Sequence, residues 1–79
     1  MEIDRIGIVG LGLIGGSIGL ALQSKGYEVY GLVNKNKTAE RAKERGLAQA
    51  ISTNTNVLSN CSMVILAIPL EQIINPTSE

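Results

Sequence analysis

The chain has 79 residues, of which 44% are hydrophobic and 18% are charged, and its seven basic residues balance seven acidic ones. A chain of this length can form one small domain with a limited hydrophobic core. Because the net charge is zero, composition provides no electrostatic reason to expect binding to nucleic acid or to an anionic membrane.

Missing residue types exclude several kinds of site. The chain has no histidine and one cysteine, Cys61. A single cysteine excludes an internal disulfide and a multi-cysteine metal site. The lack of histidine excludes a His-dependent catalytic triad and a histidine-ligated metal site. We expect Cys61 to be a small buried residue and not a nucleophile. The apolar runs are too short to span a bilayer, and three of the first five residues are charged, unlike a signal peptide. We therefore expect a cytoplasmic protein.

The first element is a β-branched apolar run, residues 6–9, that leads directly into a glycine-rich turn. Gly10, Gly12 and Gly15 have the G-x-G-x-x-G spacing, and a helix is predicted from about residue 14 to residue 24. Gly10 allows a tight turn, Gly12 removes the side chain that would keep a pyrophosphate from the backbone, and Gly15 lets the helix approach the sheet. The strand–turn–helix context predicts a dinucleotide site; the alternative is a glycine turn that binds no phosphate.

The beginning of this helix is expected to hold a diphosphate. Its first N–H groups have no partner within the helix, and the helix dipole places about half a positive charge there. The predicted contacts on this loop are Gly10, Leu11, Gly12, Leu13, Ile14 and Gly15. The loop lacks the Lys-Ser/Thr pair of a P-loop, which argues against a nucleoside triphosphatase.

The end of the second predicted strand, residues 28–33, indicates which dinucleotide is bound. An NAD-binding fold has an Asp or Glu about twenty residues after the glycine loop, and Val33 occupies that position here. The polar residues that follow include Asn34, Lys35 and Thr38, which can donate hydrogen bonds to a 2′-phosphate. We therefore predict NADP, with NAD as the alternative, and contacts from all four residues. The alternative interpretation is a solvated loop in which Thr38 caps the next helix.

The remaining elements complete a parallel α/β pattern. A charged helix is predicted over residues 39–45, a short third strand over 47–51, a helical turn over 57–60 and an apolar fourth strand over 62–68. The continuous apolarity of the fourth strand predicts burial on both faces, as in a central parallel strand.

These elements predict a partial doubly wound (Rossmann) parallel sheet with strand order 3-2-1-4. The fourth strand then lies beside the first, and Ala67, Ile68 and Pro69 at its end would line the path of the pyrophosphate and the nicotinamide-side ribose. Pro69 can also simply end the strand. Because no further strand or covering helix follows, we expect residues 1–79 to be the N-terminal part of a dinucleotide-binding domain from a longer chain.

Three segments carry a more specific resemblance. Residues 6–22 (IGIVGLGLIGGSIGLAL), 26–31 (GYEVYG) and 64–71 (VILAIPLE) together resemble the N-terminal domain of the prephenate and arogenate dehydrogenase family. The resemblance implies oxidative decarboxylation of a cyclohexadienyl substrate in tyrosine biosynthesis, with hydride transfer to the nicotinamide, in a homodimeric enzyme. Val33 stands where NAD-dependent members have an Asp, and the polar, basic loop after it is similar to that of NADP-using arogenate dehydrogenases of the cyanobacterial and plant type.

The resemblance assigns no catalytic residue, because the catalytic histidine and the substrate-binding residues of that family lie beyond the point that matches Glu79. We therefore expect the 79 residues alone to be inactive, and the choice between prephenate and arogenate stays open. Two alternatives remain: another NADP-dependent oxidoreductase, of the 3-hydroxyacid dehydrogenase or pyrroline-carboxylate reductase type, and a dinucleotide-binding module without catalysis.

Overall fold

The computed structural model describes residues 5–68 as alternating strands and helices. A 3₁₀ turn, Thr55–Leu58, precedes the last strand. In chain order, the strands and α-helices are β1 (Arg5–Val9), α1 (Leu13–Ser24), β2 (Glu28–Leu32), α2 (Asn36–Glu44), β3 (Ala50–Ser52) and β4 (Met63–Leu66).

The four strands form one parallel sheet in the order β3-β2-β1-β4. Ile8 in the middle of β1 pairs with Gly31 of β2 on one side and with Ile65 of β4 on the other. The predicted α/β class and the predicted 3-2-1-4 order are therefore confirmed. Because the strand order reverses between β1 and β4, their carboxyl ends form the topological switch point at which such sheets bind ligands.

The core lies between the sheet and α2. Ile8 and Val29 are fully buried, and the core around them also includes Leu11, Val33, Ala39, Ala42, Leu47 and Ile51. Helix α1 approaches this core through its glycines: a Cβ on Gly19 would overlap the Leu47 carbonyl oxygen, and a Cβ on Gly16 would lie 2.9 Å from Leu47 Cδ1. The main neighbour of both glycines is thus Leu47, in the segment before β3.

Several predicted boundaries are wrong by a few residues. Helix α2 begins at Asn36, so Lys35 is the residue that precedes it and Thr38 lies in its first turn, not at the cap. Strand β3 begins only at Ala50, because Leu47 ends the preceding turn: its N–H donates to the Ala42 carbonyl oxygen (3.1 Å). The 3₁₀ turn starts at Thr55, earlier than predicted, since the Asn54 side chain accepts a hydrogen bond from the Asn56 N–H (2.9 Å).

Strand β4 is not buried on both faces, contrary to the sequence prediction. Met63, Val64 and Leu66 are 44%, 46% and 63% exposed. The physical reason is the position of β4 at one edge of the sheet, where residues 5–68 supply neither a further strand nor a helix over it. An apolar edge without a charged residue or a bulge is a site at which a second chain can pair.

We therefore expect the 79-residue chain to self-associate through β4. Leu66→Lys places a charge on this edge at an exposed position, so it should restore a monomer without loss of folding. Sedimentation velocity over a concentration series measures the effect, with Leu20→Lys, an exposed leucine on α1, as the control. A monomeric wild-type chain at high concentration would contradict the prediction.

The described helices do not have the character of membrane spans. Helix α1 has 12 residues and α2 has nine, whereas a bilayer requires about 20 apolar residues. Within residues 5–68, no helix is both long and apolar enough to cross a membrane.

Candidate functional site

The glycine turn between β1 and α1 has the geometry that its spacing predicts. Gly10 has φ +94°, a conformation that favours glycine, and its N–H donates to the Leu32 carbonyl oxygen (2.8 Å). A Cβ on Gly15 would overlap the Gly10 carbonyl oxygen, so glycine is required where α1 meets the turn. Gly12 differs from both, since a Cβ there would have no neighbour within 4 Å. The backbone at Gly12 is therefore open to an approaching ligand.

The N-terminus of α1 presents unpaired donors beside this open space. Gly12 is the N-cap and receives the hydrogen bond from the Gly16 N–H (2.8 Å), while no side chain caps the helix. In an α-helix that begins at Leu13, the N–H groups of Leu13, Ile14 and Gly15 have no acceptor within the helix. The first turn contains no acidic residue. This end of α1 therefore offers hydrogen-bond donors and positive potential to an anion.

A cavity of about 410 Å³ opens at the carboxyl ends of β1, β2 and β4. It is lined by Val9, Gly10, Leu11, Gly12, Leu32, Val33, Asn34, Thr38, Thr53, Thr55, Ala67 and Ile68. The cavity thus joins the glycine turn, the end of β2 and the end of β4, which are three segments far apart in the sequence.

Eight of the predicted site residues line this cavity: Gly10, Leu11, Gly12, Val33, Asn34, Thr38, Ala67 and Ile68. Leu13, Ile14 and Gly15 lie in the first turn of α1, and Lys35 is exposed at the N-cap of α2; these four are not among the lining residues. Pro69 lies outside the described residues.

Four lining residues were not predicted as site residues: Val9, Leu32, Thr53 and Thr55. Thr53 and Thr55 follow β3 and place hydroxyl groups on the wall of the cavity. The predicted strand order could have indicated the two threonines, because in the order 3-2-1-4 the loop after β3 lies beside the loop after β2.

A second groove, of about 530 Å³, runs between α1 and α2. Leu11, Gly12 and Thr38 border both spaces, so the groove meets the cavity at the glycine turn. Leu13 and Leu20 lie along its α1 side, and Arg41 and Arg45 lie along its α2 side. The lining of the groove also includes Gly16, Ser17, Ala42 and Leu47.

The polar groups on the wall of the described cavity are hydrogen-bonding amides and hydroxyls. Its polar side chains are the amide of Asn34 and the hydroxyls of Thr38, Thr53 and Thr55, with no carboxylate, histidine or cysteine among the lining residues. The groups with shifted pKa values lie elsewhere.

Two shifted pKa values belong to residues outside this cavity. The Tyr30 hydroxyl donates to Glu28 Oε1 (2.7 Å), which raises the pKa of Tyr30, with a further contribution from burial. Burial likewise raises the pKa of the Cys61 thiol, against a smaller opposing effect of Arg5. Cys61 is half-buried, whereas the sequence predicts a buried residue.

A dinucleotide fits these features. The open backbone at Gly12 leaves room for a diphosphate, the first N–H groups of α1 have no acceptor within the helix, and the cavity continues on both sides along the sheet edge. Ala67 and Ile68 lie at the end of β4 on one side, while Val33 and Asn34 lie at the end of β2 on the other.

Comparison with solved structures supports the predicted resemblance. The crystal structure of Synechocystis arogenate dehydrogenase aligns with a TM-score of 0.82 and 33% sequence identity, over 89% of this chain and 25% of that chain. The present chain thus spans about a quarter of the length of that enzyme. No curated protein matches the sequence.

The resemblance to the N-terminal part of the prephenate and arogenate dehydrogenases is therefore confirmed. A match to a family of oxidoreductases extends over residues 5–79. Because this match includes nearly the whole sequence, the chain belongs to the family described as NADP oxidoreductase, coenzyme F420-dependent.

Proposed function

We propose that the chain is the NADP-binding part of an arogenate or prephenate dehydrogenase. The observation that carries the proposal is the cavity at the switch point, which connects an open glycine turn to a corner of the sheet that has polar donors and no carboxylate. The family match and the arogenate dehydrogenase neighbour both support a nicotinamide dinucleotide as the ligand.

The diphosphate of the cofactor would lie over Gly12. The N–H groups of Leu13, Ile14 and Gly15 would donate to its oxygens, while Leu11 contributes only its backbone because its side chain is buried in the core. Ala67 and Ile68 would border the nicotinamide-side ribose. When bound, NADP supplies the acceptor for a hydride. The residues of this chain hold and orient the cofactor, and none of them is assigned a proton-transfer role.

The adenosine end would lie against Val33, Asn34 and Thr38. An exposed Lys35 at the N-cap of α2 adds a cation beside this corner, and the helix that starts there adds its own N–H groups. A 2′-phosphate would meet donors and positive charge, whereas a carboxylate at Val33 would repel it. NADP is therefore preferred over NAD.

The remainder of the proposal concerns a longer protein. Residues 1–79 would form the N-terminal part of its dinucleotide-binding domain, as this chain aligns with a quarter of the arogenate dehydrogenase. The whole protein would be a cytoplasmic homodimer that oxidatively decarboxylates a cyclohexadienyl substrate in tyrosine biosynthesis. The 79 residues alone would bind the cofactor without turnover, because the described cavity has no acid–base group.

Titration with NADPH and NADH, followed by nicotinamide fluorescence, tests the cofactor. We expect the wild-type chain to bind NADPH more tightly than NADH. Lys35→Ala should lower the affinity for NADPH by about tenfold, which corresponds to the loss of one charged hydrogen bond, and should leave the affinity for NADH unchanged. Lys43→Ala, an exposed lysine in the last turn of α2, is the matched control. Equal affinity of the wild-type chain for the two cofactors would disprove the NADP assignment.

Arogenate-dependent or prephenate-dependent reduction of NADP by the longer protein tests the reaction itself. Cofactor binding without turnover on either substrate would favour the non-catalytic module or another oxidoreductase.

A further inference from the structure

We propose that Arg41 is a second cationic contact for the 2′-phosphate and helps to determine the preference for NADP. The inference rests on the proposed function and adds a residue that lies outside the polar loop after β2. Its starting point is the groove between α1 and α2, which Arg41 lines together with Gly12 and Thr38. Gly12 and Thr38 also line the cavity at the switch point. Arg41 therefore borders a space that is continuous with the site of the adenosine ribose.

Helix geometry brings the Arg41 side chain close to Thr38. The two residues are three positions apart in α2, so they lie on the same face and about 4.5 Å apart along the helix axis. Side chains in an α-helix lean toward its N-terminus. An arginine at position 41 can thus extend its guanidinium back to the level of Thr38, at the end of α2 that borders the cavity.

The charge of Arg41 is available for a ligand. The one salt bridge among residues 5–68 joins Arg5 and Glu28, so Arg41 has no ion-pair partner in this part of the chain. Arg41 also borders a shallow surface patch with Glu40 and Glu44, but neither carboxylate forms a salt bridge with it. A guanidinium can hold a phosphate through two parallel hydrogen bonds, which a lysine cannot do.

The structure distinguishes Arg41 from the neighbouring cations. Lys35 is close to the corner in sequence but lines neither the cavity nor the groove. Arg45 lines the groove one helical turn farther from Thr38. Arg45 has the same charge and the same helix face as Arg41, at a greater distance from the proposed phosphate, and is therefore the matched control.

The test uses 2′,5′-ADP and 5′-AMP, which differ only in the 2′-phosphate, titrated into the 79-residue chain by calorimetry. We expect Arg41→Ala to lower the affinity for 2′,5′-ADP by about 10- to 100-fold and to leave the affinity for 5′-AMP unchanged. Arg41→Lys should recover part of the loss, and Arg45→Ala should change either affinity by less than about threefold. Circular dichroism of each variant confirms that α2 is retained.

Three results would overturn the role of Arg41. Arg41→Ala could bind 2′,5′-ADP as tightly as the wild type, it could lose affinity for both nucleotides to the same extent, or Arg45→Ala could lower the affinity for 2′,5′-ADP as much as Arg41→Ala does. In each of these results the wild-type chain still prefers 2′,5′-ADP, and the proposed function stands. A wild-type chain that binds the two nucleotides equally would instead contradict the NADP assignment and, with it, the contribution of Arg41.

Discussion

Replacing Gly15 with alanine is expected to abolish dinucleotide binding and to destabilise the fold. The new Cβ would overlap the carbonyl oxygen of Gly10, a backbone atom that cannot move without disturbing the turn. The first turn of α1 must then shift away from β1, and the N–H groups proposed to hold the diphosphate shift with it. We expect the free energy of unfolding to fall by about 1–3 kcal/mol and NADPH affinity to fall by about 100-fold or more.

Gly12→Ala separates the two effects of a methyl group in this turn. A Cβ on Gly12 has no neighbour within 4 Å, so the stability should change by less than about 1 kcal/mol. The methyl would nevertheless occupy the space proposed for the diphosphate, so NADPH affinity should fall strongly. Urea denaturation and fluorescence titration measure the two quantities. A Gly12→Ala variant that binds NADPH as well as the wild type would mean that the diphosphate lies elsewhere.

Asn34→Asp is expected to shift the cofactor preference from NADP toward NAD. Asn34 is exposed and lines the cavity at the end of β2, so the substitution adds a carboxylate of nearly the same shape without burying it. The carboxylate would repel a 2′-phosphate and accept hydrogen bonds from ribose hydroxyls. We expect the affinity for NADPH to fall by about 10- to 100-fold and the affinity for NADH to be at least as high as in the wild type.

The control for this change is Asn60→Asp, which adds the same charge at an exposed position before β4, on the amino side of the sheet. It should leave the affinities for NADPH and NADH unchanged.

Val33→Asp introduces a carboxylate one residue earlier than Asn34→Asp does. Val33 is only 5% exposed and belongs to the core, so a loss of stability accompanies any shift in cofactor preference. If Asn34→Asp weakens NADPH no more than Asn60→Asp does, the 2′-phosphate does not lie at this corner.

Features that depend on local sterics and periodicity could be predicted from the residues alone. The strand–turn–helix could be predicted from the glycine spacing, because the tight turn at Gly10 and the close helix contact at Gly15 can be satisfied only by residues without a Cβ. The alternation of short apolar strands with helices predicted the parallel sheet and its order, which the structure confirms. The burial of a strand or helix could be predicted only where the sequence also indicated the elements that pack on it.

Contacts between residues far apart in the chain could not be predicted in this way. Leu47 is the main neighbour of Gly16 and Gly19, and Arg41 borders the groove beside the glycine turn. Such contacts depend on the relative placement of α1, α2 and the loop after β3, which no local pattern encodes. The exposure of β4 has the same origin: an apolar strand is buried only when another element covers it, and its sequence records the apolarity but not the neighbour.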